Sequence, residues 1–222
     1  MTLIVFDLDG TLADTAPDLV GALNAAIAPE GLRPVSLAET RSMVGAGARA
    51  LIQRAFAAQD RLLDPGRLED LYRAFLAHYE AHVADETILF PGVVAALDRL
   101  EAEGFGFAVC TNKVERPARM VLDALGVAHR FRAVCGQDTF AITKPDPRIL
   151  QKTIEKARGA AGDSVMVGDS GTDVATARAA GVPVVAVDFG YTDRPIAEFA
   201  PDRIISHYDA LDEAVRAVRS PR

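Results

Sequence analysis

Aspartates, a hydroxyl and an ammonium stand in this chain where short apolar runs end. The first group is Asp7-Leu8-Asp9-Gly10-Thr11-Leu12, the second Thr111-Asn112, the third Lys144-Pro145 and the fourth Gly168-Asp169-Ser170-Gly171-Thr172-Asp173. The first, second and fourth each follow a run that reads as a buried strand. Gathered at the ends of parallel strands, such groups can hold Mg²⁺ and transfer a phosphoryl group. A carboxylate can attack phosphorus and split hydrolysis into two easier steps. Two neighbouring carboxyl groups separate in pKa, which suits one to nucleophilic work and the other to proton transfer. An ammonium can neutralise charge on the phosphoryl oxygens. Taken singly, the same residues have plainer readings. Thr111 and Asn112 are good helix N-caps. Lys144 before a proline suits a solvated surface, and Asp173 suits the first turn of a helix, where the dipole favours it.

The elements that would position these groups alternate. Continuous apolar runs predict strands at 3–7, 106–110, 133–135, 164–167, 184–187 and 203–205. Amphipathic helices are predicted at 93–103, 115–125, 147–157, 172–180 and 209–218, with Gly104, Gly126 and Gly181 at C-cap positions. Strands that are apolar throughout, separated by helices, point to a doubly wound parallel-sheet α/β core. The stretch from Thr15 to Phe90 is too long for one crossover and reads as helix almost throughout. Its clearer segments are 18–27, 46–57 and 65–83, with breaks at Pro29-Glu30-Gly31, Pro34, Gly45-Ala46-Gly47 and Asp64-Pro65-Gly66. The expected organisation is an α/β core of residues 1–14 and 88–222 with an inserted helical cap of residues 15–87. An insert leaving after the first strand sits beside that strand's C-terminal end, where open α/β sheets bind ligands.

With all four groups in order, the chain resembles the haloacid dehalogenase-type phosphatases over nearly its whole length. That resemblance implies roles. Asp7 would be the nucleophile that forms an aspartyl-phosphate. Asp9 would protonate the leaving alkoxide and then deprotonate water. The dehalogenase branch lacks this second acid, so Asp9 favours phosphate chemistry. Thr111 and the adjoining Asn112 would bind the phosphoryl oxygens, and Lys144 would neutralise charge on Asp7 and the phosphoryl group. Mg²⁺ would be held by the Asp7 carboxylate, the Asp9 carbonyl and Asp169, a small set of oxygen ligands of the kind this ion takes. Asp173 would orient Lys144 or a metal-bound water.

Composition bounds the alternatives. At 222 residues, half of them apolar and a quarter charged, the chain is a folded globular protein. A net charge of −7 argues against nucleic-acid binding but leaves room for a small anionic substrate. No apolar run approaches the roughly 18 residues of a membrane span. Leu3–Phe6 lacks a preceding basic region and ends at Asp7, so it reads as a strand and not a signal peptide. Cys110 and Cys135 lie inside apolar runs and suit buried free thiols in a reducing cytoplasm. Monomer and homodimer are both open.

Substrate choice is expected in the insert. Glycines before a helix leave backbone N–H groups able to meet an anion, although Gly45-Ala46-Gly47 is equally compatible with an ordinary turn. The segment 44–51, together with Asp14-Thr15-Ala16-Pro17, Phe90-Pro91-Gly92, Thr111-Asn112-Lys113 and Gly190-Tyr191, looks like the phosphoglycolate phosphatases. The resemblance therefore makes 2-phosphoglycolate the first candidate, contacted by Gly45, Gly47 and Arg49. A sugar-phosphate mutase, a pyrophosphatase or another small-metabolite phosphatase are the alternatives. No lysine occurs between Thr15 and Phe90, which disfavours Schiff-base phosphonate cleavage and weakens the mutase reading.

Overall fold

The computed structural model describes residues 2–192 and 194–219. Eight strands and nine α-helices are assigned among them. Six strands form one parallel sheet: β1 (Leu3–Phe6), β4 (Gly106–Cys110), β5 (Phe131–Cys135), β6 (Ser164–Gly168), β7 (Val184–Val187) and β8 (Arg203–Ile205). Their spatial order is β5-β4-β1-β6-β7-β8. Leu3 of β1 is flanked by Gly106 on one side and Ser164 on the other. The chain thus winds outward from β1 through β4 and β5, returns, and winds out the other way. This reversal makes the C-terminal end of β1 the switch point at which an open sheet leaves a crevice.

Alternate residues of each strand feed two apolar layers, as the pleat requires. Ile4, Phe6, Phe107, Val109, Val165 and Val167 face one side, where α5 (Val93–Ala102), α6 (Glu115–Ala124) and α9 (Leu211–Arg219) pack. Leu3, Val5, Ala108, Cys110 and Met166 face the other, under α7 (Pro147–Lys156) and α8 (Gly171–Ala180). Phe6 meets Phe107 and Phe131 edge-on, with ring centroids 6.0 and 6.4 Å apart. Cys110 and Cys135 are register partners on β4 and β5, and both are buried and free. No helix among the described residues is long and apolar enough to cross a membrane.

Between β1 and β4 the chain forms α1 (Ala16–Ile27), α2 (Leu37–Met43), α3 (Ala48–Ala57) and α4 (Pro65–Ala81). Three differences from the sequence reading matter. First, α2 fills the stretch left blank after Pro34. Its start carries a capping box in which Ser36 and Glu39 satisfy each other's backbone N–H, a signal present in the sequence as Ser-x-x-Glu. Second, α3 begins at Ala48 and not at Ala46, because Gly47 has φ +85° and cannot belong to a right-handed turn. Third, the stretch is not helical to its end. Strands β2 (Ala13–Asp14) and β3 (Ile88–Leu89) pair antiparallel where the chain leaves the core and where it returns. Two residues each are too few to show a period.

A single side chain ties this junction. Asp18, in the first turn of α1, is buried and accepts from the backbone N–H of Glu86 at 3.1 Å and of Thr87 at 2.9 Å, and from the Thr87 hydroxyl at 2.6 Å. Asp18→Ala leaves those donors without their anion. It is expected to lower unfolding free energy by about 2–4 kcal/mol in urea titrations, with Asp18→Asn costing less.

Candidate active site

The C-terminal end of β1 delivers Asp7 into the crevice. Its N–H donates to the Val167 carbonyl at 2.9 Å, which continues the β1–β6 ladder one residue past the strand and fixes the side chain's direction. Asp7 Oδ1 accepts from the Leu8 N–H at 2.7 Å, and Oδ2 lies 2.9 Å from Lys144 Nζ. Lys144 is buried and sits 2.6 Å from Asp173 Oδ1, so one ammonium joins two carboxylates. Asp173 is the third residue of α8 in a capping box with Ser170, whose N–H and hydroxyl reach Oδ2 at 3.1 and 2.6 Å. Asp173 thus caps the start of a helix with one oxygen and meets Lys144 with the other.

Asp169 follows β6. Its oxygens accept from the Thr11 hydroxyl at 2.9 Å and from the Tyr191 N–H at 2.6 Å. Carboxylate oxygens of Asp7, Asp169 and Asp173 lie within 4.8 Å of one another, all buried. An all-oxygen, anionic donor set of this kind fits a hard divalent cation. The electrostatics point the same way. Burial pushes the Asp7 carboxyl up to about 7 despite the opposing Lys144 ammonium, with Asp173 and Asp9 adding to the rise. Burial, then the charges of Asp173 and Asp7, also hold Asp169 well above the ordinary carboxylate range. Burial opposes the charge on Lys144, but Asp173 and Asp7 override it and raise its pKa.

Asp9 stands across the crevice from this cluster. Its Oδ1 accepts from the Thr15 hydroxyl at 2.6 Å and from Lys113 Nζ at 2.9 Å. The turn that aims it needs glycine at position 10: φ is +82°, and a Cβ there would lie 2.3 Å from Asp169 Oδ2. Thr111 follows β4 and is buried beside the cavity. Its hydroxyl oxygen accepts from the Lys113 N–H at 3.1 Å, which leaves the O–H to donate inward. The N-cap reading of Thr111 and Asn112 does not apply, because α6 is capped at Val114.

One cavity unites these groups. Asp7, Asp9, Thr111, Asn112 and Lys113 line its floor, and Gly45, Gly47, Leu19, Leu51, Phe75 and Tyr79 come from the inserted helices. The predicted glycines are thus brought to the site. Gly45 has φ +112°, and a Cβ on Gly47 would lie 3.2 Å from the Asn112 carbonyl. The N-terminus of α3 has no side-chain cap.

One expected substrate contact is placed differently. Arg49 follows Ala48, a cavity residue, and one step along a helix turns about 100°. Its guanidinium instead holds Glu69 at 2.7 and 2.8 Å and lies 3.6 Å over the Tyr72 ring. Asn112 lines the cavity, but its side-chain amide is engaged elsewhere. It accepts from the Lys144 N–H at 2.8 Å and donates to the carbonyls of Lys144 at 3.2 Å and Gly45 at 3.1 Å. It thereby positions the lysine loop and ties it to the insert. Lys113, Tyr79 and Tyr191 had no assigned role. Lys113 was visible as one of only four lysines, directly after Thr111-Asn112. Tyr79 was hidden in an apolar stripe with Leu71 and Phe75 that reads as core.

Comparison with known proteins decides the family. The sequence profile of haloacid dehalogenase-like hydrolases matches residues 4–187. The chain belongs to that family. A phosphoglycolate phosphatase of Mesorhizobium japonicum is 50% identical over 98% of this chain and 97% of its own length. One of Agrobacterium fabrum is 46% identical over 96% and 91%. Among solved structures, a predicted phosphoglycolate phosphatase from Haemophilus somnus superposes with a TM-score of 0.89 at 31% identity, covering 96% of this chain and 97% of that one. CbbY from Rhodobacter sphaeroides, crystallised with phosphate, gives 0.83 at 25% identity, over 97% of this chain and 100% of its own. The enzyme is a phosphatase, a phosphoric monoester hydrolase of the haloacid dehalogenase type.

The packing around Asp169 tests how tightly this phosphatase site is built. A Cβ on Gly190 would lie 2.3 Å from Asp169 Cβ and 2.4 Å from the Gly10 carbonyl. Gly190→Ala must therefore displace Asp169 or the Asp9 turn. The expected result is a stability loss of about 1–3 kcal/mol in urea together with a disproportionate loss of phosphate release.

Proposed function

We propose that the enzyme hydrolyses 2-phosphoglycolate to glycolate and phosphate, with Mg²⁺, through an aspartyl-phosphate on Asp7. The observation that carries the mechanism is the Asp7–Lys144–Asp173 arrangement. Lys144 at 2.9 Å favours the charged form of Asp7 and orients it, while Asp173 at 2.6 Å holds Lys144.

In the first half-reaction a carboxylate oxygen of Asp7 attacks phosphorus as the bond to the ester oxygen breaks, and Asp9 gives its proton to the departing alkoxide. In the second, Asp9 takes a proton from a water that attacks phosphorus, and Asp7 departs as a carboxylate with release of phosphate. Lys144 and the Thr111 hydroxyl would steady the phosphoryl oxygens in both. Bound Mg²⁺, held by the Asp7 and Asp169 carboxylates and the Asp9 carbonyl, would neutralise the charge of the phosphate. Asp173 is better suited to hold Lys144 than to coordinate, since Ser170 already makes two hydrogen bonds to its other oxygen.

The cavity supports a small substrate. Its volume is about 50 Å³, and the wall beyond the floor is largely Leu19, Val44, Leu51, Phe75 and Leu76. A sugar phosphate would bring several hydroxyls to an apolar wall with few partners for them, which is costly. The open N-terminus of α3 favours an anion. These features, and the residues 15–87 acting as a cap that shields the reaction from water, agree with a short phosphorylated carboxylate.

Two outcomes check this reading. Asp7→Asn is expected to reduce kcat on 2-phosphoglycolate by about a thousandfold or more while circular dichroism stays unchanged; near-full activity would rule out the covalent route. A panel adding pyrophosphate and hexose phosphates should show 2-phosphoglycolate preferred. Metal binding should also depend on pH. With Asp7 pushed up to about 7, a proton competes with the ion, and the competition fades as pH rises. Thermal denaturation with and without MgCl₂ should show a larger stabilisation near about pH 8 than near about pH 6. Equal shifts would argue against Asp7 as a ligand.

A further inference from the structure

Tyr79 is 1% exposed, lines the cavity, and its hydroxyl has no hydrogen-bond partner among the described residues. A buried hydroxyl left unpaired is destabilising, so such groups commonly wait for a ligand or a water. Lys113 lies against the same wall. Its ammonium is 4.3 Å from the centre of the Tyr79 ring and 2.9 Å from Asp9 Oδ1. An ammonium has three N–H donors, and the Asp9 contact uses one. The phosphoryl end of the site has Lys144 and Thr111 for its own charge. Lys113 and Tyr79 are therefore a second, separate pair of donors in one cavity, one from the core and one from α4.

We infer that the Lys113 ammonium and the Tyr79 hydroxyl form the subsite for the substrate's carboxylate. The inference rests on the reading of the substrate as a short phosphorylated carboxylate, and it names what recognises the end that is not phosphate. A carboxylate only accepts hydrogen bonds, and both groups donate. Burial pushes the Tyr79 phenol up to about 12, so it keeps its proton at neutral pH. The neighbouring wall of Leu19, Leu51 and Phe75 offers a carboxylate nothing. Because the two donors belong to different layers of the molecule, the subsite is complete only while α4 lies over the core. A substrate that fills it also holds the insert in place. An amine at that end would meet the Lys113 charge and be rejected.

The test compares kcat/KM for 2-phosphoglycolate and ethyl phosphate, which lacks the carboxylate, in the wild type, Tyr79→Phe and Lys113→Met. Tyr79→Phe keeps the ring and removes no hydrogen bond, so its melting temperature should match the wild type. Lys113→Met also deprives Asp9 of a partner and is expected to slow both substrates; the ratio between them isolates the subsite. In each variant the preference for 2-phosphoglycolate over ethyl phosphate should shrink by about ten- to a hundredfold, mostly through KM for Tyr79→Phe. If the wild type prefers 2-phosphoglycolate and both variants keep that preference, the subsite is wrong and the substrate reading stands. A wild type without the preference overturns both.

Discussion

Carboxylates buried at the end of a sheet repel one another and lose their hydration, so they persist only around positive charge. Here Lys144 supplies it within the chain, lying between Asp7 and Asp173 with almost no exposure. The arrangement explains much of the surrounding construction. Asn112 grips the backbone on both sides of Lys144 Cα, and Ser170 grips Asp173 through the start of α8. Asp169 is set by Thr11 and Tyr191. Lys144 and Asp169 are thus fixed by neutral partners from other segments, and Asp173 by the cap of its own helix. Three acids against one ammonium still leave an excess of negative charge, which suits a cluster built to receive a divalent cation.

The inserted helices are joined to the core in two ways. Most of the contact is apolar and continuous: Leu19, Leu51, Ile52 and Phe75 belong to the same buried layer as Phe6 and Phe107. Polar ties at the site and at the junction add to it. Asn112 reaches the Gly45 carbonyl, Lys113 lies on the Tyr79 ring, and Asp18 binds the returning strand at Thr87. Apolar contact tolerates small sliding, whereas directional hydrogen bonds favour one position.

Much of this was legible in the residues. The six strands of the main sheet are readable because each is short, largely apolar and followed by a glycine, an acid or a hydroxyl, and the core helices because their apolar residues recur at helical spacing. The short pair β2–β3 was not, since two-residue strands carry no period and exist only because the chain leaves and re-enters the core at adjacent points. Helix α2 is not legible from its periodicity: it is only seven residues long and follows the break at Pro34, and the Ser36–Glu39 capping box is its one signal. Arg49 is expected at the substrate from the likeness of segment 44–51 to the phosphoglycolate phosphatases. The rotation of one residue along α3 carried it to Glu69 and Tyr72 instead.

What the sequence by itself determined is the cluster proposed to react. Asp7, Asp9, Thr111 and Asp169 are bound to strand ends or to turns beside them, and a strand end has only one place to be in a parallel sheet. What the tertiary structure alone decided is the other end of the cavity. Lys113 and Tyr79 are 34 positions apart and look like a surface cation and a core aromatic. Their meeting depends on how α4 packs against α1 and α6, a matter of side-chain shape between distant segments that local pattern does not encode. It also decided that Asn112 serves the lysine loop, because a side-chain amide takes whichever backbone groups the fold presents to it.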